Sequence, residues 1–463
     1  MKNDQLPEPF STETFAPARF EAAHEIRLTS GPCRFKTVAE DCVFHAPDGA
    51  PEASVFSVSY LAEGENRPVL FIWNGGPGSA TSQLHLECFG PWQIARDENG
   101  AKQFGLFEDE GCLLDICDLV FVDPVGVGWS RLLNPAKAEK YDCVDGDARS
   151  TAFFITEWLR RHDRWESPVY LCGESYGTVR ACRVLAELGR SPYSESRMVL
   201  GLPVAGVVLI GLATDMDEKD PTVSMMPAMA ATNWYHHPDG KDDQDAFVAE
   251  AWEFARTRLL PALYDGDFCP EAERADVAER MEYYTGVSAD YFVKTGLKIG
   301  SPREFLTRCV PDSLLDLYDT RLKKPAADAT GDLDDGNVPI KVMNGPMAKK
   351  LRVDMPRLYY TGNINVNIRF NLETEDVDPA FKKTHLGCLR GAMKANPRMR
   401  ALIASGLYDA CTHAGGTRHA ISHAGLPLDR VTMRDYKGGH GVYSTPEGKA
   451  AFLADVRKMI EGS

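Results

Sequence analysis

Short, almost wholly apolar runs punctuate the chain, and each ends in small or polar residues. They are Val69-Leu70-Phe71-Ile72-Trp73, Leu119-Val120-Phe121-Val122-Asp123, Val169-Tyr170-Leu171-Cys172, Val204 to Leu212 and Arg400 to Gly406, and the more polar Arg430 to Tyr436 reads as a further strand. Runs of this length without polar alternation predict strands buried on both faces of a parallel sheet. Residues 34–61 alternate enough to predict strands, with turns at Pro47-Asp48-Gly49 and Glu63-Gly64-Glu65-Asn66. Helical spacing appears between the runs. Asp147 to His162 predicts a helix with Phe153, Phe154, Trp158 and Leu159 on one face, Thr178 to Ala186 a second, and Pro446 to Ile460 a closing one. Strands alternating with helices predict the α/β class, a mostly parallel central sheet flanked by helices.

The pattern changes in the middle of the chain. From about 216 to 345 helical stretches dominate, at Phe247–Leu260, Glu271–Tyr284 and Pro302–Leu306, and Asp328 to Asn337 reads as an acidic loop. At 463 residues the chain exceeds one ordinary domain. The expected organisation is a poorly ordered, Pro-rich segment 1–30, a catalytic domain in two parts, 31–215 and 346–463, and a helical cap insertion, 216–345. Such an insertion is where substrate selectivity usually resides. No internal repeat is visible.

Composition narrows the function. With 44% hydrophobic residues the chain can bury a large core, and a formal charge of −16 argues against nucleic acid or an anionic membrane surface as partner. No apolar run approaches transmembrane length. The first residues, Met1-Lys2-Asn3-Asp4, carry no apolar signal segment, so a cytoplasmic location is expected unless a signal has been removed. The twelve cysteines match no zinc spacing and read as buried free thiols.

The chemistry centres on Ser175. It lies in Gly173-Glu174-Ser175-Tyr176-Gly177, after one apolar run and before a helical one. A sharp strand-to-helix turn lifts a serine hydroxyl out of a sheet and aims a helix N-terminus at it. Glycines flank it because side chains would clash inside the turn. A serine needs a base to take its proton, and the base needs an acid to hold its tautomer. Asp409 and His440 follow in the chain order this arrangement uses, each just past the end of a predicted strand. That edge of an open α/β sheet is where ligands bind.

His413, His419 and His423 compete for the role of base. His413 lies four residues after Asp409, whereas His419 and His423 share helical i,i+4 spacing with no third zinc ligand nearby. His440 is the better base, because Gly439 and Gly441 leave its ring free to lean over the sheet edge. No metal or cofactor is called for. An oxyanion needs two backbone N–H donors. Tyr176, after the nucleophile, supplies one, and the glycine-rich turn Asn74-Gly75-Gly76-Pro77-Gly78-Ser79 supplies the other.

These motifs, with Asp123-Pro124-Val125-Gly126-Val127-Gly128-Trp129-Ser130, Gly406-Leu407-Tyr408-Asp409 and Gly439-His440, resemble the serine carboxypeptidase family of α/β hydrolases. Leu84-His85-Leu86 before Gly90-Pro91, and Arg164-Trp165-Glu166-Ser167-Pro168, are similar to its bacterial branch. The resemblance runs from about residue 50 to the end and is weakest between 216 and 345. It implies an α/β-hydrolase fold and a peptidase that trims peptide C-termini through an acyl-enzyme. Ser175 would be nucleophile, His440 base and acid, Asp409 its orienter, and Gly76 and Tyr176 the oxyanion donors. Asn74, Gly75, Glu174 and Glu87 would hold the substrate's terminal carboxylate. Ile72 stands where eukaryotic members carry tryptophan, and Trp73 beside it reads as a core residue.

A carboxylate site that binds another carboxylate must hold a proton between the partners, or like charges repel. The expected ligand is therefore a peptide or small acyl substrate with a free carboxyl end. An esterase or acyltransferase with the same triad, and a non-catalytic binding protein on the same fold, are the other readings. The complete Ser175, Asp409 and His440 set argues against the last. The oligomeric state is not legible.

Overall fold

The computed structural model describes residues 14–96, 102–189, 201–213, 221–240, 243–326, 337–374 and 384–462. Ten strands form one twisted sheet: β1 (Arg19–Leu28), β2 (Gly31–His45), β3 (Pro51–Ala62), β4 (Val69–Trp73), β5 (Asp118–Asp123), β6 (Arg131–Leu132), β7 (Val169–Glu174), β8 (Gly206–Ile210), β9 (Arg400–Gly406) and β10 (Val431–Tyr436). The spatial order is β1-β2-β3-β5-β4-β7-β8-β9-β10, with β6 paired to β3. The first three strands and their junction with β5 are antiparallel, and every pairing from β5 to β10 is parallel. The apolar runs are buried throughout β4, β5, β7 and β8 because helices cover both faces.

One face packs against α1 (Val144–Arg161), α2 (Tyr176–Leu188) and α3 (His385–Ala395), through Phe154, Trp158, Ala181, Leu185 and Leu389 among others. The other face carries the C-terminal helix, α4 (Pro446–Glu461), through Phe452, Leu453 and Val456. The expected apolar face of α1 is corrected at one position. Phe153 is 39% exposed, whereas Phe154, Ile155, Trp158 and Leu159 are buried. At about 100° per residue, a stripe through 151, 154, 155 and 158 leaves 153 off its edge, and Phe153 packs instead edge-on against Phe44.

The expectation of poor order over 1–30 is also corrected from Arg19 onward. Arg19 to Leu28 pair residue for residue with Glu40 to Gly31, as the edge strand of the sheet. Its inward residues Ala22, Ile26 and Leu28 are buried and Phe20 and His24 half-buried, while the alternate residues face solvent. Residues 1–13 lie outside the described residues. So does the acidic loop expected at Asp328–Asn337, up to residue 336.

Between β8 and β9 the chain builds helices at Met226–His236, Gln244–Phe254, Glu271–Thr285 and Ala289–Lys294. The helix expected over Phe247–Leu260 starts earlier and passes through a wider turn at Ala255–Leu259. These helices and the short helix Pro302–Leu306 share their own apolar cluster, including Met229, Phe247, Met281, Phe292 and Phe305. Ala410, next to Asp409, is packed into that cluster. No helix among the described residues is long and apolar enough to cross a membrane. All twelve cysteines are unbridged.

Candidate active site

Asn74, Ser175, Asp409 and His440 leave the same edge of the sheet. Asn74 follows β4, Ser175 follows β7, Gly211 follows β8, Asp409 follows β9 and His440 follows β10. Parallel strands bring their carboxyl ends together, so residues far apart in sequence converge there.

The turn at Ser175 is as tight as its glycines require. Ser175 has φ 58° and ψ −128°, a left-handed conformation that non-glycine residues rarely adopt. Its N–H donates to Ile210 O at 2.9 Å, and its carbonyl accepts from Thr178 N at 2.8 Å. A Cβ on Gly173 would sit 2.0 Å from Gly177 O, so no side chain fits there. The Ser175 side chain is half-buried at the mouth of the edge.

Asp409 is fully buried. Its Oδ1 accepts from Cys411 N (2.8 Å) and Thr412 N (3.0 Å), and its Oδ2 accepts from Thr412 Oγ1 (2.6 Å). His440 Nδ1 donates to the same Oδ2 at 2.8 Å. Burial opposes ionisation of Asp409, but His440 and these hydrogen bonds outweigh it and hold the carboxyl below its ordinary range. Burial likewise opposes the imidazolium. The charge and hydrogen bond of Asp409, then the charge of Glu174, overcome it and raise His440 above its ordinary value. The loop carrying His440 is held at Gly439 and His440. His440 N donates to Tyr318 O at 2.6 Å, and a Cβ on Gly406 would meet Gly439 O at 1.8 Å. The ring lies over Gly211, whose added Cβ would be 3.1 Å from His440 Cε1. Gly211 directly follows Ile210, the acceptor for Ser175 N, so the imidazole stands beside the serine turn.

His413 takes no part in this group. Its Nδ1 accepts from Gly416 N at 3.0 Å and caps the helix Ala414–His423. The rings of His419 and His423 are 4.4 Å apart on that helix, and His423 Nδ1 lies 2.9 Å from His419 O.

The turn after β4 presses against the serine. A Cβ on Gly75 would fall 2.7 Å from Tyr176 N and 2.9 Å from Ser175 Cβ, so glycine alone permits this approach. Gly76 has φ 103°, and Ser79 N donates to Gly75 O at 3.3 Å. The structure thus brings Gly75 against the backbone of Tyr176, in the same turn as Gly76. Trp73 is fully buried and donates Nε1–H to Gly177 O at 2.8 Å, the core role expected for it.

Glu174 and Asn74 meet directly. Asn74 Nδ2 donates to Glu174 Oε1 at 2.8 Å, and Asn74 Oδ1 accepts from Leu84 N at 3.1 Å. Tyr443 donates its hydroxyl to Glu174 Oε2 at 2.6 Å. Burial raises Glu174 against the opposing effects of His440, Tyr443 and Asn74, so the acid retains its proton to higher pH than a free glutamate. Glu87 lies in the short helix Leu84–Phe89 and pairs with Lys102 Nζ at 3.0 Å, both side chains largely shielded. It is thus an ion-paired residue rather than a solvated one, and its charge reaches Glu174.

Four contributors escaped sequence reasoning: Tyr443, Thr412, Lys102 and Tyr318. Tyr443 and Thr412 each lie three residues from a singled-out histidine or aspartate, which is the only signal that pointed to them. Tyr318 tilts its ring 5.2 Å from that of His440, from the segment between β8 and β9.

Comparison with known proteins bears on the family and the fold. The family profile described as Serine carboxypeptidase matches residues 52–218. The pheromone-processing carboxypeptidase KEX1 of Fusarium vanettenii is 28% identical over 26% of this chain and 18% of its own length. The serine carboxypeptidase-like 50 of Arabidopsis thaliana is 30% identical over 27% of this chain and 29% of its own. The aligned stretches therefore span less than a third of these relatives. The crystal structure of the prohormone-processing carboxypeptidase KEX1(delta)P of Saccharomyces cerevisiae superposes over 96% of this chain and 91% of its own, with a TM-score of 0.56 and 14% identity. That likeness shows the fold. Residues 52–218 thus match the serine carboxypeptidase family, and the architecture is that of the α/β-hydrolase fold.

Proposed function

We propose that the chain is a serine-type carboxypeptidase that hydrolyses C-terminal peptide bonds through an acyl-enzyme. Ser175 Oγ attacks the carbonyl carbon of the last peptide bond while His440 takes its proton. The N–H groups of Gly76 and Tyr176 stabilise the oxyanion. His440 then passes the proton to the departing amine, and the C–N bond breaks. Water, deprotonated by His440, attacks the ester and frees Ser175. Asp409 holds the imidazole with Nδ1–H toward itself, which leaves Nε2 for this exchange.

One observation carries the carboxypeptidase reading over a general esterase. Glu174 immediately precedes Ser175, is buried, and is held on both oxygens by Asn74 and Tyr443. Its raised proton affinity suits it to share a proton with a substrate carboxylate. Asn74, the Gly75 N–H and Glu87 complete that site in this reading. The helical block 216–345 serves as a cap, with Tyr318 against the His440 ring. Twelve unbridged thiols suit a reducing compartment, in keeping with a cytoplasmic enzyme.

Matched peptides with free and amidated C-termini test the proposal. The free acid should lose its last residue far faster. Equal rates would leave a general acyl hydrolase, or an acyltransferase if an added alcohol captures the acyl group.

A further inference from the structure

The buried Arg180 has no part in the acyl transfer described above, yet it touches the turn after β4. Arg180 lies on α2, is 2% exposed, and donates Nε–H to Asp147 Oδ1 and Oδ2 at 3.0 and 2.8 Å. Its Nη1 donates to Asn74 O at 2.8 Å. Asp147, in the first turn of α1, also accepts the hydroxyl of Tyr176 at 3.0 Å. The guanidinium stands 5.3 Å from the centre of the Tyr176 ring. One ion pair therefore ties together α1, α2 and the Asn74–Gly75 peptide.

In a trans peptide the C=O and the following N–H point in opposite directions. With Asn74 O held toward Arg180, the Gly75 N–H points away from it. The Asn74 side chain is fixed separately by Glu174 and Leu84 N. We propose that Arg180, anchored by Asp147, is a positioning residue that orients the Asn74–Gly75 peptide so that the Gly75 N–H faces the substrate's terminal carboxylate. This rests on the carboxypeptidase reading and assigns that reading a residue that acts through the Asn74 carbonyl rather than on the substrate. A planar guanidinium serves the carboxylate and the carbonyl from one rigid fork, and a lysine ammonium does not. Freed from Arg180, the peptide can rotate and withdraw its N–H, as the two adjoining glycines allow.

The test is steady-state kinetics of Arg180→Lys and Asp147→Asn on matched free-acid and amidated peptides. In Arg180→Lys the free-acid KM should rise about tenfold, kcat should move less than about threefold, and selectivity for the free acid should fall about tenfold. Asp147→Asn should move the same quantities in the same direction by less. A loss shared equally by both peptides, a fall in kcat at constant KM, or full retention of selectivity overturns the proposal. Should Arg180→Lys fail to fold by near-ultraviolet circular dichroism, Asp147→Asn decides by the same criteria. Wild-type enzyme that does not distinguish the two peptides would sink the carboxypeptidase reading itself. Wild-type selectivity that survives in both variants would sink only the role of Arg180.

Discussion

Tyr443 donates its hydroxyl to Glu174 Oε2 across 2.6 Å, although 269 positions separate the two residues. The bond closes one side of a buried acid whose other oxygen is held by Asn74. It also ties the loop after His440 to the strand that carries Ser175, so the acid site and the base loop share one support. Glu174 in turn acts on His440 through its charge.

Ser175→Ala and His440→Ala should each abolish turnover with the fold intact, and the double variant should be no worse than either alone. Groups that act as one unit lose their effect together. His413→Ala should retain turnover and lose only a helix cap, about 1 kcal/mol of stability. Active-site titration with an organofluorophosphonate, together with thermal unfolding, checks all four proteins. Survival of turnover in His440→Ala but not in His413→Ala would reverse the assignment of the base.

Asp409→Asn should lower kcat by about 10⁴-fold, because an amide no longer enforces the Nδ1–H tautomer. Thr412→Val removes a hydroxyl that donates to Asp409 Oδ2 and lies 3.1 Å from His440 Nδ1. Its kcat should fall more modestly, about tenfold, and equally for ester and peptide substrates. Presteady-state bursts on an activated ester measure both. A larger loss for peptide than for ester in Thr412→Val would place the threonine in substrate binding instead.

The pH dependence has a definite sign. In the proposed mechanism His440 acts as base only when neutral, and its proton affinity is raised, so the acid limb of ester kcat/KM should lie above the ordinary histidine value of about 6.5. An ionised Glu174 contributes to that rise. Glu174→Gln removes the negative charge, disfavours the imidazolium, and should move the acid limb to lower pH. Peptide cleavage also needs Glu174 protonated, so it alone should fall as pH rises through the raised value for Glu174. Full pH profiles of both substrates in wild type and Glu174→Gln decide. An acid limb that stays put or moves upward in the variant contradicts the coupling.

Gly173→Ala should destabilise the protein by about 1–3 kcal/mol, since the added methyl would overlap the Gly177 carbonyl across the serine turn. Activity should fall with it, because the turn can yield only by moving Ser175. Urea denaturation measures the first effect. Unchanged stability would mean that the turn is looser than its backbone geometry implies.

The sequence alone carried whatever is local. Apolar runs ending in glycine-rich turns located β4, β5, β7, β8 and β9, because a strand buried on both faces tolerates no polar alternation, whereas β10 is an edge strand exposed or half-buried over most of its length. Gly173 and Gly177 marked the serine turn, because there backbone must approach backbone without a Cβ. Asp409 and His440 were legible from their places just past strand ends. Tertiary structure decided the rest. Pairing with β2 made a strand of Arg19 to Leu28, since an edge strand gets its order from its neighbour and not from its own composition. Rotation about the helix axis, set by contact with the sheet, turned Phe153 outward. Lys102 meeting Glu87, Tyr443 meeting Glu174 and Arg180 meeting both Asp147 and Asn74 are hydrogen bonds or ion pairs between segments that no periodicity relates. Such side chains find one another only once the sheet has brought its strand ends together, because hydrogen bonds act over a few ångströms of space and not along the chain.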